Sequence, residues 1–397
     1  MMGDDDGVGR YDDARSGQPE RHDEVDVGWL RPPLNWRPRW LVVTGVALIA
    51  VVLIAVAAGT VIRHGREAPA ASAPVTVVEV GHRLLGVTAG WDLFGRGSRQ
   101  VVRIQFARGR ITRTIVPPVQ STGPVSFVAG PGQAIIRPLD FVPGYVVFDG
   151  QPARGLRATL SHGGVAVPGP APGQVWVQAG DGDRALVQLT RLDGSKTGEA
   201  IALPAGGPWE VISDGRGYLL LYGTGVVYDA WPGGLRRITG AVAAVGPTRW
   251  LTVECRNQHR CSNVVTDPAS GTRRVLPGLS VESAPFPGVI APNGSAAAIF
   301  RDTGAGNPAL ELLNLVSGAY QRLAVPLDQL SLSPQALAWS PDSQWLFVVA
   351  AHGKLLAINA RTQHAYSLGA AIPPINQIAI RNAPRQSRGI TSSWHPQ

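Results

Sequence analysis

A short apolar run ending in a small polar turn recurs along most of this chain, and its spacing limits the possible fold more than any other feature. The copies read VVRIQFARG, YVVFDG, VQLTRLDG, GVVYDAWPGG, NVVTDPASG, ELLNLVSG and LLAINARTQ. With Ala107, Asp149, Asp193, Asp229, Asp267, Asn314 and Asn359 taken as equivalent, successive copies lie 42, 44, 36, 38, 47 and 45 residues apart, a mean of 42. The most regular unit is residues 336–368, ALAWSPDSQWLFVVAAHGKLLAINARTQHAYSL. It reads as four short strands: 336–339, then the turn Ser340-Pro341-Asp342-Ser343, then 344–350, 354–359 and 364–368. A four-stranded meander cannot hide both of its faces alone, so such units are stable only when neighbours of the same kind cover them.

Radial stacking of such units is a β-propeller, and a period near 42 suits one blade per copy. Seven third strands therefore predict an all-β, seven-bladed β-propeller, with six and eight as the neighbouring counts. An earlier turn recurs too, in Gly130-Pro131-Gly132-Gln133, Ala171-Pro172-Gly173-Gln174 and Ala291-Pro292-Asn293-Gly294. Proline presets φ at its second position, and Gly or Asn tolerates the backbone conformation of the later positions. The last apolar segment, 375–380, looks like a first strand with nothing after it, and the first unit lacks that strand. It is thus expected to complete the first blade and close the ring, with VTVVEV at 75–80 as the competing donor. The alternative architecture is a β-sandwich or several small β domains.

The stretch Trp339, Ser340, Pro341, Asp342, Ser343, Gln344, Trp345, Leu346 resembles the W-S-P-D-G-x-x-L core of WD40-like and TolB-type propeller repeats, over roughly residues 84–380. It departs from that pattern at Ser343, where the family has glycine. The resemblance implies the fold. It is nearly silent on activity, because such propellers serve as docking platforms, sensors and occasionally enzymes.

Ahead of the repeats, residues 40–62 run for 23 positions without a charge. At about 1.5 Å per residue such a helix spans a hydrocarbon core of roughly 30 Å. Residues 1–39 carry nine acidic residues against six arginines and are expected to form a disordered acidic tail. The tail ends in a collar, WLRPPLNWRPRW, in which Trp29, Trp36, Arg37, Arg39 and Trp40 suit the membrane interface. Arg21, Arg31, Arg37 and Arg39 outnumber Arg63 and Arg66 across the apolar stretch, which places the tail in the cytoplasm. A cleaved signal peptide would have a shorter apolar region, and Pro74 directly follows the cleavage-like triplet Ala71-Ser72-Ala73. The organisation expected is a tail at 1–39, a transmembrane helix at 40–62, a tether at 63–80, a propeller at 81–380 and a flexible end at 381–397.

The chain is +8 overall, so removing the −3 tail leaves +11 on the remainder, nearly all arginine. A basic domain outside an anionic membrane suits phosphate-rich wall polymers or an envelope protein. No nucleic-acid motif is present. The arginine bias also fits a high-GC bacterial genome.

Cys255 and Cys261 bracket five residues at a hairpin tip, so a disulfide is expected there, in an oxidising compartment. A metal site from Cys255, His259 and Cys261 would lack a fourth ligand and the usual spacing.

No catalytic, cofactor-binding or metal constellation emerges elsewhere. There is no G-x-S-x-G, and His82, His162, His352 and His364 are scattered. Asp181-Gly182-Asp183 has too few carboxylates for a calcium loop. Gly95-Arg96-Gly97 and Gly304-Ala305-Gly306 begin like phosphate loops and do not continue as one. The leading expectation is a single-pass, membrane-anchored extracytoplasmic propeller acting as a binding or scaffolding module. The alternatives are a propeller hydrolase or lyase acting on an envelope-derived substrate, and a ligand sensor signalling through the tail.

Overall fold

Short apolar runs separated by tight turns produce antiparallel meanders along the whole of the folded region. A computed structural model describes residues 75–119, 124–139, 144–156, 164–179, 185–205, 207–223, 226–256, 260–278, 286–301, 308–328, 331–333, 335–369 and 372–380. The expected tail, interfacial collar, membrane helix and C-terminal end at 381–397 lie outside them. Among the described residues no helix is long and apolar enough to cross a membrane.

The strands form six sheets arranged as an all-β propeller. Five have the size of a single blade. The second sheet runs Val125–Gly130, Gln133–Pro138, Tyr145–Phe148 and Arg154–Gly155. The third is Ala166–Pro168, Gln174–Ala179, Leu186–Arg191 and Lys196–Ala202, and the fourth is Glu210–Ser213, Leu219–Gly223, Val226–Trp231 and Gly234–Ile238. The sixth is Leu337–Trp339, Trp345–Ala350, Lys354–Asn359 and Ala365–Ser367. The fifth is double-sized, with eight strands. Its first meander ends at Arg273–Val275 and its second begins at Gly288–Ile290. Seven separate sheets were expected and six form. Ala241–Val245 and Gly288–Ile290 pair in parallel, Ala244 opposite Gly288 and Val245 opposite Val289, which fuses two consecutive meanders into one sheet.

The first sheet has five strands. Gln377–Ile380 pairs antiparallel with Asp92–Arg96, with Leu93 opposite Ile380 and Arg96 opposite Gln377, so the end of the folded chain completes its beginning. Its rival, Val75–Glu79, is also in the sheet, on the opposite edge against Arg110–Ile115. The expected tether is corrected accordingly: its last residues are a strand, because their alternating pattern finds an edge to pair with. The GRG segment also finds its explanation here. A Cβ on Gly95 would lie 3.0 Å from Ile375 Cδ1, and one on Gly97 would lie 2.6 Å from the Pro374 carbonyl. These glycines make room for the segment that leads into the closing strand.

Apolar clusters fill the faces between neighbouring meanders, and the largest joins the fifth, sixth and first sheets. Phe94, Val101, Phe127 and Ile136 fill the seam of first and second sheets, and Trp176, Leu189, Leu219 and Leu221 that of third and fourth. In the largest cluster Trp91, Phe106 and Phe347 meet with ring centroids 4.7–5.8 Å apart. Coverage on both faces explains why Trp345–Ala350 is buried at all six positions and reads as an unbroken apolar run.

Candidate binding surface

The periodic Asp and Asn residues are, for the most part, turn caps. Asp267 Oδ1 accepts from Ala269 and Ser270 N–H, Asn314 Oδ1 from Val316 and Ser317 N–H, and Asn359 Oδ1 from Arg361 and Thr362 N–H. Asp193 Oδ1 does the same for Ser195 N–H at 2.8 Å. Such Asx turns satisfy donors at the exit of the third strand, which is why the residue type recurs. Asp149 and Asp229 depart from the pattern and use their carboxylates on arginines instead.

The Trp339, Ser340, Pro341, Asp342 motif is a turn of the same structural kind. The Ser340 carbonyl accepts from Ser343 N–H at 2.9 Å, its hydroxyl accepts from Trp345 N–H at 2.9 Å, and Asp342 Oδ1 accepts from Gln344 N–H at 3.0 Å. Ser343 sits at φ 62°, the left-handed conformation that explains the family's glycine. Its hydroxyl accepts from Asn293 N–H of the fifth sheet at 3.0 Å. Tryptophans tie sheets together in the same way: Trp339 Nε1–H donates to the Val289 carbonyl at 3.0 Å, Trp176 to Gly217 at 2.7 Å and Trp250 to Asp214 at 2.9 Å.

Cys255 and Cys261 are directly opposite in their hairpin and joined by a disulfide. His259, Asp181, His162 and the Gly304 segment lie outside the described residues. His352 takes φ 60° in a turn, where its N–H meets Asp328 Oδ2 at 2.9 Å, and His364 stacks edge-on against Tyr366. Among the described residues no three His, Cys, Asp or Glu side chains gather as a metal site would require.

Several charged groups are buried or half-buried at the seams, and no local pattern in the sequence marks them. Arg103 bridges Asp92 of its own sheet and Asp149 of the next, each at 2.6 Å. Asp214, fully buried, accepts from Arg216 and Tyr218 N–H at 2.7 and 2.8 Å, and burial pushes its carboxyl above the usual carboxylate range. Burial, with Asp214 nearby, raises Asp229 as well, against the pull of Arg236 at 2.8 Å. Arg137 is 1% exposed and donates to the carbonyls of Gly164, Val165 and Gln178; burial lowers it to about 10.

A second arrangement invisible in local sequence joins the innermost strands. The Gln335 side-chain amide donates to the Phe127 carbonyl at 2.6 Å and accepts from Phe127 N–H at 3.1 Å, so it pairs like a residue of a β-ladder. Gln377 Nε2 reaches both the Val125 carbonyl and Gln335 Oε1, and Arg96 holds Gln377 Oε1. Residues far apart in the chain thereby clasp the first, second and sixth sheets.

The surface is different. Arg154, Lys196, Arg237, Arg274 and Arg322 each stand exposed on the outermost strand of a meander. None has a carboxylate within ion-pair distance among the described residues. Cations on edge strands keep those edges from pairing with other chains, and together they form a basic rim.

No family model and no curated protein matches this chain. Solved propeller structures do. TolB from Acinetobacter baumannii is 10% identical over 75% of this chain and 68% of its own, with a TM-score of 0.43. Apo AztD from Citrobacter koseri is 18% identical over 73% and 88%, with a TM-score of 0.37. An oligogalacturonate lyase in complex with manganese is 12% identical over 75% and 91%, with a TM-score of 0.45. No activity passes from these structures to this chain.

Proposed function

We propose that this chain is a single-pass membrane protein whose extracytoplasmic propeller is a binding or scaffolding module, with its basic rim turned to an anionic wall polymer or the acidic face of an envelope protein. The observation that carries the reading is the rim itself: five outermost strands bear exposed cations without carboxylate partners among the described residues, whereas the acids Asp92, Asp149 and Asp229 are held by arginines. The uncharged stretch 40–62 supports the anchor, with the acidic tail and its Trp/Arg collar on the cytoplasmic side. The Cys255–Cys261 disulfide suits the oxidising side. In this reading the double sheet counts as two blades and the ring has seven. Support comes from the contacts between successive innermost strands, which pass from Gln377–Ile380 to Val125–Gly130 and Ala166–Pro168, and return through Leu337–Trp339.

The test is binding of the detergent-solubilised chain to a phosphodiester wall polymer across a salt series, with an Arg237→Glu, Arg274→Glu, Arg322→Glu variant alongside. Binding that weakens steadily with salt and is at least tenfold weaker in the variant supports the reading. Binding that is indifferent to both salt and variant refutes it. Labelling of a cysteine introduced at residue 10 in intact cells tests the orientation, since a cytoplasmic tail stays unlabelled by an impermeant reagent.

A further inference from the structure

The two faces of the first sheet are packed differently. Towards the sixth sheet it presents Leu93, Val102, Ile104 and Ile111 to the aromatic cluster around Phe347. Towards the second sheet its cross-strand rows are mixed: Phe94 pairs with Arg103 and Arg103 with Thr112, while Val101 pairs with Thr114. Polar side chains are therefore carried into a seam between sheets.

Phe94, Val101, Arg103, Thr112 and Thr114 form one wall of a cleft there, and Val147, Phe148 and Asp149 form the other. The cleft encloses about 190 Å³ including its open mouth, and its inner part has room for one water-sized molecule. Two polar atoms buried in it, Thr112 Oγ1 and Asp149 Oδ1, have no hydrogen-bond partner in the protein. Thr112 is only 2% exposed. Asp149 is set apart in a second way. Its counterparts Asp193, Asp267, Asn314 and Asn359 cap their own turns, whereas Asp149 turns its carboxylate across the seam to Arg103 and leaves one oxygen over.

We infer that this cleft is a binding site for a single water molecule, which donates to Asp149 Oδ1 and bonds to the Thr112 hydroxyl. A carboxylate oxygen needs a donor and a hydroxyl takes either role, so one water satisfies both. The Arg103 guanidinium against the same space disfavours a cation. The two unpartnered polar atoms among the apolar side chains favour hydration, as a wholly apolar lining would not. The water extends the Asp92, Arg103, Asp149 chain to the strand Arg110–Ile115.

Two measurements decide it. A high-resolution crystal structure of the full chain in detergent is expected to show one solvent peak about 2.7–3.2 Å from both Thr112 Oγ1 and Asp149 Oδ1. The absence of a peak, or direct protein partners on both atoms, overturns the inference. In denaturant unfolding, Thr112→Val is expected to lower the folding equilibrium constant about two- to tenfold, the value of one lost hydrogen bond, with Thr112→Ser near the parent. If the hydroxyl has no water, removing it relieves an unpaired polar atom. A Thr112→Val variant as stable as the parent or more so therefore also overturns the inference.

Discussion

Replacing Ile375 and Ile378 by alanine measures how much the ring depends on its closing strand. Ile375 is 0% exposed and Ile378 is 3% exposed, and both belong to the largest apolar cluster. Truncating a buried isoleucine to alanine costs about 2–5 kcal/mol through lost transfer energy and the cavity left behind. The two sites are close enough to couple, so their sum of about 4–10 kcal/mol carries an uncertainty of roughly 1–2 kcal/mol. Against a typical domain stability of about 5–15 kcal/mol, the double variant should be unfolded or nearly so at 37 °C. The control is the other terminal strand. Val78 in Val75–Glu79 is 39% exposed on the outer edge, and its truncation should cost about 0.5 kcal/mol or less. Urea unfolding monitored by tryptophan fluorescence suits the comparison, because Trp91 lies in the same cluster as Ile375. Equal, small losses for Ile375→Ala and Val78→Ala would refute the view that the inner strand closes the ring.

Three further outcomes are expected. Ser343 combines a left-handed backbone, which costs an L-residue about 1–2 kcal/mol, with a hydroxyl that holds Asn293 N–H. Ser343→Gly should therefore be more stable than Ser343→Ala by about 1 kcal/mol, and equal unfolding midpoints would contradict this. Asp214 and Asp229 keep their protons to higher pH in the folded chain than in the unfolded one. Their stabilising contribution is complete below about pH 4 and is lost as pH rises through their elevated values. Asp214→Asn keeps an oxygen for the Arg216 and Tyr218 N–H groups and should flatten that decline above about pH 4; an unchanged slope in denaturant titrations would count against it. Cutting the Cys255–Cys261 bridge with Cys255→Ser and Cys261→Ser together opens a loop closed over a separation of 6 residues, for an expected loss of about 2 kcal/mol. A reductant-insensitive parent of identical stability would show the bridge to be idle.

The blade unit was legible because its signals are local. Strand runs, proline turns, the Asp and Asn caps and the cysteine hairpin each act within about ten residues. Even the ring-closing strand could be inferred, since the first unit lacked what the last segment supplied. What stayed hidden depends on neighbours distant in sequence. Nothing in VVRIQ marks Arg103 as the bridge between Asp92 and Asp149, and nothing in SPQALAW marks Gln335 as a stand-in for a strand residue against Phe127. The GRG segment read as an aborted phosphate loop because the Pro374 and Ile375 atoms that need its space come from the far end of the chain. The fusion of two meanders through Ala244 and Gly288 was likewise unreadable, because parallel pairing of short inner strands leaves no pattern in either.

The pairing of Leu93 with Ile380 also sets a timetable. About 290 residues separate the partners, and at roughly 5–20 residues per second the ribosome needs about 15–60 s to deliver the second after the first. Throughout that interval Asp92–Arg96 has an unfilled edge, and every blade made in the meantime belongs to an arc with two open ends. A chain stopped before residue 377 would keep those ends permanently, displaying pairing edges to other nascent chains. Within the folded region, closure of the ring therefore comes last, after every other strand has left the ribosome.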